Sequence, residues 1–268
     1  MRTLRNIFLF FVILSVVLVA ICTGLMRVQA SSQPGDVTGR NVVIQSRALT
    51  ADIVVVEMDG TVDVTLHQGP LPKIDVRAEQ RMLPKITTSQ DGNTLRIDTR
   101  GLIIGTMQPM QVDVTLPALK KVRQHGSGDV QITGFSGDQL DLVMQGSGAM
   151  QVAGQFKRID ARMQGSGDLQ LAGGNSDQVG LEALGSGNVT ATGVTKTIQI
   201  SLRGSGNVDT SELQADQLAL DVYGSGDGNV HARQAAKVMI RGSGNVTVHG
   251  APSLREVRNF GSGDLSFE

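Results

Sequence analysis

The chain has 268 residues, a formal net charge of −1 and 18% charged residues, which is the composition of a folded protein rather than a disordered one. It contains 33 glycines but no Gly-X-Y period, so a collagen-like helix is excluded. No Lys/Arg cluster is interleaved with aromatic side chains, and we therefore expect no nucleic-acid partner.

Residues 1–30 have the features of an export segment. Arg2 and Arg5 precede an uncharged, mostly apolar run at residues 7–26, and Val28-Gln29-Ala30 resembles a small-residue cleavage site. The run is about 20 residues long, enough to cross a bilayer, so residues 1–30 form either a signal peptide or an N-terminal membrane anchor. Both alternatives predict an exported protein, in the periplasm or at the cell surface, and the second would tether it to the cytoplasmic membrane through residues 7–26.

The next part of the chain contains a short linker followed by predicted strands. Residues 31–40 are polar and include Pro34 and Gly35, as is typical of a linker. Residues 41–118 are rich in alternating β-branched segments and predict an N-terminal set of strands. Asp59-Gly60 and Asp91-Gly92-Asn93 lie between such segments and predict hairpin turns. The predicted strands are at residues 53–56, 62–66, 74–76, 95–97 and 112–116.

Residues 119–268 carry a repeated Gly-Ser-Gly motif. It occurs eight times, with successive serines 18 to 20 residues apart. A nearly fixed period is typical of stacked units that cannot bury an apolar face alone. The pattern therefore predicts an all-β fold, a parallel β-helix or solenoid with rungs of 19–20 residues, within a single domain at residues 41–268. The serines are Ser127, Ser147, Ser166, Ser186, Ser205, Ser225, Ser243 and Ser262.

Within each repeat, apolar and polar residues alternate strictly. Leu142 lies on the apolar side of this alternation and Val143 lies on the opposite side. The residues around Ser166 follow the same alternation. A period of two predicts strands with one buried face and one solvated face. The apolar set around Ser166 is Ile159, Ala161, Met163, Leu169 and Leu171.

Smaller irregularities predict local backbone features. The Asp227-Gly228 pair lengthens the rung of Ser225 before Val230 and predicts a β-bulge there. A further glycine seven residues after several serines predicts positive φ where the chain turns. These glycines are Gly134, Gly154, Gly173, Gly193 and Gly250.

The strand-rich opening, the segment from Val112 to Leu119 and the repeated Gly-Ser-Gly-Asp/Asn-Val motif resemble the putative auto-transporter adhesin head GIN domain family of bacterial proteins. The resemblance covers residues 41–268. It implies a parallel β-helix-like fold on an exported protein. An adhesin-like role is an expectation that follows from the family's name.

The repeated polar residues favour structural roles over catalytic or metal-binding ones. A catalytic serine needs one base and one orienting group, whereas eight equivalent serines indicate a repeated structural task. We expect the serines and the Asp or Asn residues that follow the motifs to satisfy backbone groups in the turns. Asn or Ala149 often replaces Asp, which argues against a ladder of Ca²⁺ sites. The histidines, His67, His125, His231 and His249, show no ligand spacing, so the sequence predicts no metal and no cofactor.

These patterns together favour a non-catalytic cell-envelope or surface protein with an adhesin-like binding face. Gln145, Gln164, Arg203 and Arg241 lie on the polar side just before the motifs, but no specific binding residue is defined, and the expected partner is an unidentified surface protein or glycan. The alternative is a structural or assembly component of the envelope, with residues 264–268 as an open strand edge. The third hypothesis is a polysaccharide-acting β-helix enzyme, whose candidate catalytic acids are Asp141, Asp160, Glu182 and Asp221.

Overall fold

The computed structural model describes residues 41–99 and 108–268, together with Gly39 and Gly101. The chain divides into two units, Met1–Arg40 and Asn41–Glu268, and the second contains all the strands below. Within this described part of the chain, no helix is long and apolar enough to cross a membrane. The predicted export segment, including residues 7–26, lies outside the described residues, as does most of the predicted linker.

The repeats form long strands that stack in parallel. Ile159 lies beside Val179 of the next strand, and Val179 lies beside Ile198 of the strand after it, so equivalent repeat positions form columns. The predicted parallel β-solenoid is therefore confirmed, with about seven turns. The stacked strands are β9 (Val130–Gly146), β10 (Ala149–Gly165), β11 (Asp168–Gly185), β12 (Val189–Gly204), β13 (Val208–Gly224) and β14 (Gly228–Gly242).

Each long strand has two arms, separated by a register shift, as between Ala153 and Arg158 of β10. The first arm follows one Gly-Ser-Gly corner and the second arm leads to the next corner. We call the outward side of the second arms the pre-corner face and the outward side of the first arms the post-corner face. The two faces therefore repeat once per rung.

The N-terminal strands extend both sets of arms. Their bounds are β1 (Val42–Arg47), β2 (Val55–Gly60), β3 (Asp63–Gln68), β4 (Lys73–Glu79), a 3-10 turn (Leu83–Lys85), β5 (Ile86–Asp91), β6 (Thr94–Thr99), β7 (Gln111–Leu116) and β8 (Lys121–Gly126). On the pre-corner side, β5, β6, β2 and β8 precede the second arm of β9, and on the post-corner side β1, β4, β7 and β3 precede its first arm. Only the pairs β1–β4, β4–β7 and β5–β6 are antiparallel among the described strands.

One of the two predicted hairpins is wrong. The turn at Gly92 joins the antiparallel strands β5 and β6, as predicted, and has a φ of 58°. Asp59-Gly60 instead forms a solenoid corner, because β2 pairs with β6 and β8 and does not pair with β3. Gly60 has a φ of 116° and lies directly below Gly126, so the column of corners begins in the N-terminal strands.

The last rung is short and more open than those before it. It contains β15 (Val246–His249), β16 (Leu254–Asn259) and β17 (Leu265–Phe267). All six residues of β16 are exposed, and this strand pairs only with β14 in the described structure. The predicted C-terminal edge is thus shared by β16 and β17.

The core follows the alternation that the sequence predicts. Leu142 is 2% exposed, whereas its neighbour Val143 is only partly buried. A polar exception is Gln124, which occupies the inward column between Met58 and Met144 and has a buried Oε1 without a hydrogen-bond partner. Its Nε2 donates to the carbonyl oxygen of Gly128, so half of the amide is satisfied inside the core.

The predicted bulge at Asp227-Gly228 is wrong. Gly228 pairs with Val208 in register and takes the inward position that valine holds in the neighbouring rung. The irregularity falls after Val230, where the strand β14 is shorter than β13. Of the glycines for which positive φ was predicted, Gly134, Gly193 and Gly250 have it, whereas Gly154 and Gly173 do not.

Candidate functional site

The Gly-Ser-Gly corners stack closely on one another, and this restricts the first residue of each corner. At the first glycine of each motif except the last, the backbone has positive φ, as at Gly185 with 127°. This glycine also lies very close to the corner of the rung before. A Cβ on Gly185 would be 2.2 Å from the carbonyl oxygen of Gly165, the oxygen to which the Ser186 amide donates at 3.0 Å. Glycine is therefore required at this position by both conformation and space.

The residue after each corner forms a hydrogen-bonded ladder along the stack. The Asn207 side-chain oxygen accepts from the Asp227 amide at 3.0 Å, and the Asp227 carboxylate accepts from the Asn245 amide at 2.7 Å. The same bond joins Asp129 to Asp63, Ala149 to Asp129, Asn188 to Asp168 and Asp264 to Asn245. The predicted role of these Asp and Asn side chains is confirmed, since they satisfy backbone groups of the next turn.

The serine hydroxyls do not share this role. All eight serines of the motif are exposed, and the one side-chain bond among them joins Ser243 and Ser262, whose Oγ atoms are 3.2 Å apart. The prediction that stacked hydroxyls satisfy turn backbone is therefore wrong. The carbonyl of the preceding corner already satisfies the serine amide, which leaves the hydroxyls as an outward row.

Restoring the ladder at Ala149 should stabilise the protein. Ala149 offers no side-chain acceptor to the amide of Asp168, its partner in the next rung. We expect Ala149→Asn to add about 0.5 to 1.5 kcal/mol to the free energy of unfolding, the usual net contribution of one hydrogen bond. Urea unfolding followed by circular dichroism measures this, with Ala149→Leu as a control that adds volume but no acceptor. An equal gain in both variants would contradict a ladder effect.

A second ladder, of alternating charge, runs along the bend between the arms. Lys157 lies 2.7 Å from Asp138, Lys196 lies 2.6 Å from Asp177, and the third pair joins Arg233 to Asp216. The hydrogen bonds from Lys157 and Lys196 hold the pKa of Asp138 and of Asp177 below the ordinary value. These pairs favour the folded state above the ordinary pKa of Asp and lose that contribution as the pH falls through the lowered values. Each acidic side chain of this second ladder is therefore neutralised by a basic side chain of a neighbouring rung.

The acidic residues considered for an enzyme line an open cleft of about 500 Å³ on the pre-corner face. Three of the four are held by neighbours: Asp141 accepts from Gln139 at 2.8 Å, Asp160 pairs with Arg158 at 2.7 Å, and Glu182 pairs with Arg162 at 2.6 Å. The fourth, Asp221, has no side-chain partner among the described residues. Glycoside hydrolysis needs a pair of carboxyl groups that face the substrate, whereas the carboxylates of Asp160 and Glu182 are engaged by arginines. Two of the four acids in the cleft are therefore matched by arginines, whereas Asp221 is not.

The arginines of the pre-corner face fall into two groups. Arg123, Arg158 and Arg162 form ion pairs at 2.6 to 2.7 Å. Arg203 and Arg241 form no ion pair with any residue that the structure describes. They occupy the position just before the corner in rungs on either side of Tyr223.

These two arginines belong to a row in which cations and rings alternate. The guanidinium carbon of Arg203 is 5.6 Å from the centre of the Tyr223 ring, and that of Arg241 is 5.1 Å from the same ring. Arg241 also lies 5.5 Å from the ring centre of Phe260 and donates a hydrogen bond to the Tyr223 hydroxyl at 2.8 Å. We call Arg203, Tyr223, Arg241 and Phe260 the guanidinium–aromatic row.

Sequence patterns identified only half of this row. Arg203 and Arg241 were expected on the polar side before the motifs, and the structure places them there. Tyr223 and Phe260 were not singled out, although both directly precede the first glycine of a motif. Aligning the repeats on that glycine would have placed all four residues in one column. Of the other expected residues, Gln145 and Gln164 lie in the same column of earlier rungs.

The post-corner face differs in charge. Its cleft of about 470 Å³ is lined by uncharged side chains, among them Gln151, Gln170 and Thr190. His231 and His249 are register partners further along this face, and His249 bonds to Asn229 at 2.6 Å. Among the residues described, no group of three or more His, Cys, Asp or Glu side chains could hold a metal ion.

Comparisons with solved structures support this architecture. No curated protein matches the chain. A solved "putative lipid binding protein" from Parabacteroides distasonis is 22% identical with a TM-score of 0.78, covering 85% of this chain and 97% of its own. A "putative adhesin" from the same species is 21% identical with a TM-score of 0.77, covering 85% and 97%, respectively. Another, from Parabacteroides merdae, is 17% identical with a TM-score of 0.76, covering 85% and 96%. At these identities the likeness shows the fold alone.

The family comparison shows the family of the chain, whereas the solved structures show only its fold. A family model matches residues 54–179 and again residues 157–252, which together span most of the chain. The family and the structural neighbours bear the names of adhesins or binding proteins, not of enzymes. The chain belongs to the family described as "putative auto-transporter adhesin, head GIN domain".

Proposed function

We propose that this protein is an exported, non-catalytic binding module of the cell envelope with an adhesin-like role. The observation that carries the proposal is the guanidinium–aromatic row, an exposed set of unpaired cations beside rings on a face where other arginines are neutralised. Arginine and aromatic residues are the side chains that most often dominate binding energy at protein surfaces. Solenoids also present such residues at fixed spacing, which suits extended partners.

Export is the second part of the proposal. Residues 1–30 supply either a cleaved signal peptide or an anchor at residues 7–26, residues 31–40 serve as a linker, and residues 41–268 form the folded domain. The family's adhesin name supports a place outside the cytoplasmic membrane. In both arrangements the domain faces the periplasm or the exterior.

An assembly role is a second candidate, and the last rung is the observation that favours it. Leu254 is 69% exposed and Val257 is 44% exposed on β16, whose outer edge pairs with no described strand. Such an edge can pair with a strand of another subunit. Arg255, Glu256 and Arg258 on the same strand limit unspecific pairing, since charged edge residues oppose aggregation. Light scattering of the full chain distinguishes the candidates, because a strict monomer at high concentration contradicts edge-mediated assembly.

The proposed function is tested with cells that produce the full chain and matched cells that lack it. We expect external labelling of the protein by a membrane-impermeant reagent and increased attachment of the producing cells to glycan-coated or host-cell surfaces. Protein recovered only in the cytosol, or equal attachment of both cell types to every surface, would contradict the proposal.

A further inference from the structure

We infer that the guanidinium–aromatic row binds carboxylate-bearing sugars, and that its ligand is a linear polysaccharide of uronic acids lying along the solenoid axis. The inference rests on the proposed binding function and specifies the ligand of that same surface. Four successive rungs contribute one residue each to the row, namely Arg203, Tyr223, Arg241 and Phe260.

Most N–H donors of the two guanidinium groups are not hydrogen-bonded to the described residues. Arg241 uses one bond to the Tyr223 hydroxyl, and Arg203 makes no hydrogen bond with a described residue. A guanidinium group carries five N–H donors in a planar fork that matches a carboxylate. Both arginines can therefore bind a carboxylate in the bidentate mode, which is among the stronger hydrogen-bond arrangements in proteins.

The rings position these cations and provide one open surface. Tyr223 lies between Arg203 and Arg241, so it restricts both long side chains before any ligand arrives. Restricting a side chain in advance reduces the entropy lost on binding. Phe260 is 66% exposed and has Arg241 on one side, which leaves ring surface for the apolar face of a sugar.

The spacing of the row favours a polymer over a single acidic sugar. Arg203 and Arg241 are two rungs apart, which corresponds to roughly 10 Å along the axis at the usual strand spacing. In a 1,4-linked uronic acid chain that alternates in orientation, carboxylates on one side recur every second sugar, a length close to two strand spacings. One chain can therefore meet both arginines without bending.

The surroundings of the row are suited to the rest of each sugar. Ser205 and Ser225 follow the row on the corner side, are exposed, and make no side-chain hydrogen bond with a described residue. Asp221 lies on the opposite side, two residues before Tyr223 on the same strand, and repels a carboxylate from that direction. We therefore place the sugar hydroxyls over the serine row and the carboxylates over the arginines.

Titration calorimetry of the purified full chain with a mannuronate hexasaccharide tests the inference. We expect measurable binding that weakens as salt rises, and little or no binding of cellohexaose, which has the same length but no charge. Replacing both arginines, Arg203→Gln with Arg241→Gln, should weaken binding by at least about tenfold. The matched control, Arg158→Gln with Arg162→Gln, removes the same charge from the same face and should change the affinity less than about twofold.

Four results would overturn the inference. The first is an equal loss of affinity in the two double variants, and the second is binding of cellohexaose as tight as that of the mannuronate hexasaccharide. The third is binding of a sulfated hexasaccharide but not of the mannuronate hexasaccharide, and the fourth is binding of neither charged sugar. In the last case the proposed function stands if producing cells still attach to surfaces, and it fails if they do not. Thermal unfolding of each variant confirms that lost binding does not reflect a lost fold.

Discussion

Replacing Gly185 with alanine is expected to cost more than about 3 kcal/mol in the free energy of unfolding, and to leave much of the protein unfolded. The new Cβ would lie 2.2 Å from the carbonyl oxygen of Gly165, and the residue would keep a φ of 127°, a conformation that alanine rarely adopts. The neighbouring rungs cannot separate to make room, because the same corner is hydrogen-bonded to both of its neighbours. Urea unfolding monitored by circular dichroism measures the loss.

Two control variants separate this close approach from other effects. Gly134 also has positive φ, of 79°, but a Cβ there would have no atom within 4 Å, so Gly134→Ala should cost only about 1 to 2 kcal/mol. Ser186→Ala removes an exposed hydroxyl next to Gly185 and should change stability by less than about 0.5 kcal/mol. If Gly134→Ala were as damaging as Gly185→Ala, rung contact would not be the reason for glycine at the corner.

Leu142→Asp is expected to produce the second large effect. Leu142 is 2% exposed and faces the core between Val122 and Ala161 of the adjoining strands. A carboxylate there loses its water and finds no cation within the apolar column, so the free energy of unfolding should fall by about 3 to 5 kcal/mol. Thermal or urea unfolding gives the value.

Val143→Asp is the matched control on the same strand. Val143 belongs to the pre-corner face, where the side chain reaches the open cleft and is flanked by Arg123 and Arg162 in the neighbouring strands. A carboxylate at this position remains hydrated and has cations nearby, so the change should be under about 1 kcal/mol. Similar losses for the two substitutions would show that the assignment of inward and outward residues is wrong.

The stacked part of the fold could be predicted because its two signals are local and repeated. The alternation at residues such as Leu142 and Val143 gives the buried face, and the period of the serines gives the stacking. The corner at Gly60 escaped prediction because its motif is Gly60-Thr61-Val62 and lies 66 residues before the next corner at Gly126. Between these corners the chain adds β4 to β7, which interrupts the period.

The Gly228 rung shows why length differences between repeats could not be located from sequence. The sequence predicts a bulge at Asp227-Gly228, where the rung is longer before Val230, yet the register at Gly228 is preserved. A parallel ladder keeps its hydrogen bonds when a glycine takes an inward position, and the length difference moves to the bend, where the pairing is already interrupted. Sequence length alone does not say which of the two places absorbs the change.

The candidate site depends on cross-strand neighbours, which a single strand does not contain. Glu182 and Arg203 are both outward charged residues in the sequence, but only the register shows that Arg162 of the neighbouring strand neutralises the first and that the second stacks on Tyr223. The role of Phe260 likewise requires that its rung follow that of Arg241. The outward face could therefore be predicted from alternation, whereas the position of its unmatched cations could not.

The attachment of cells that produce the full chain with Arg203→Gln and Arg241→Gln tests the central claim most directly. Attachment to a uronic acid polysaccharide coat should fall to the level of cells without the protein, while Arg158→Gln with Arg162→Gln should attach like the unmodified chain. External labelling must show equal amounts of each variant on the cells. Undiminished attachment of the Arg203 and Arg241 variant would contradict the account, because the unpaired arginines would then carry no binding.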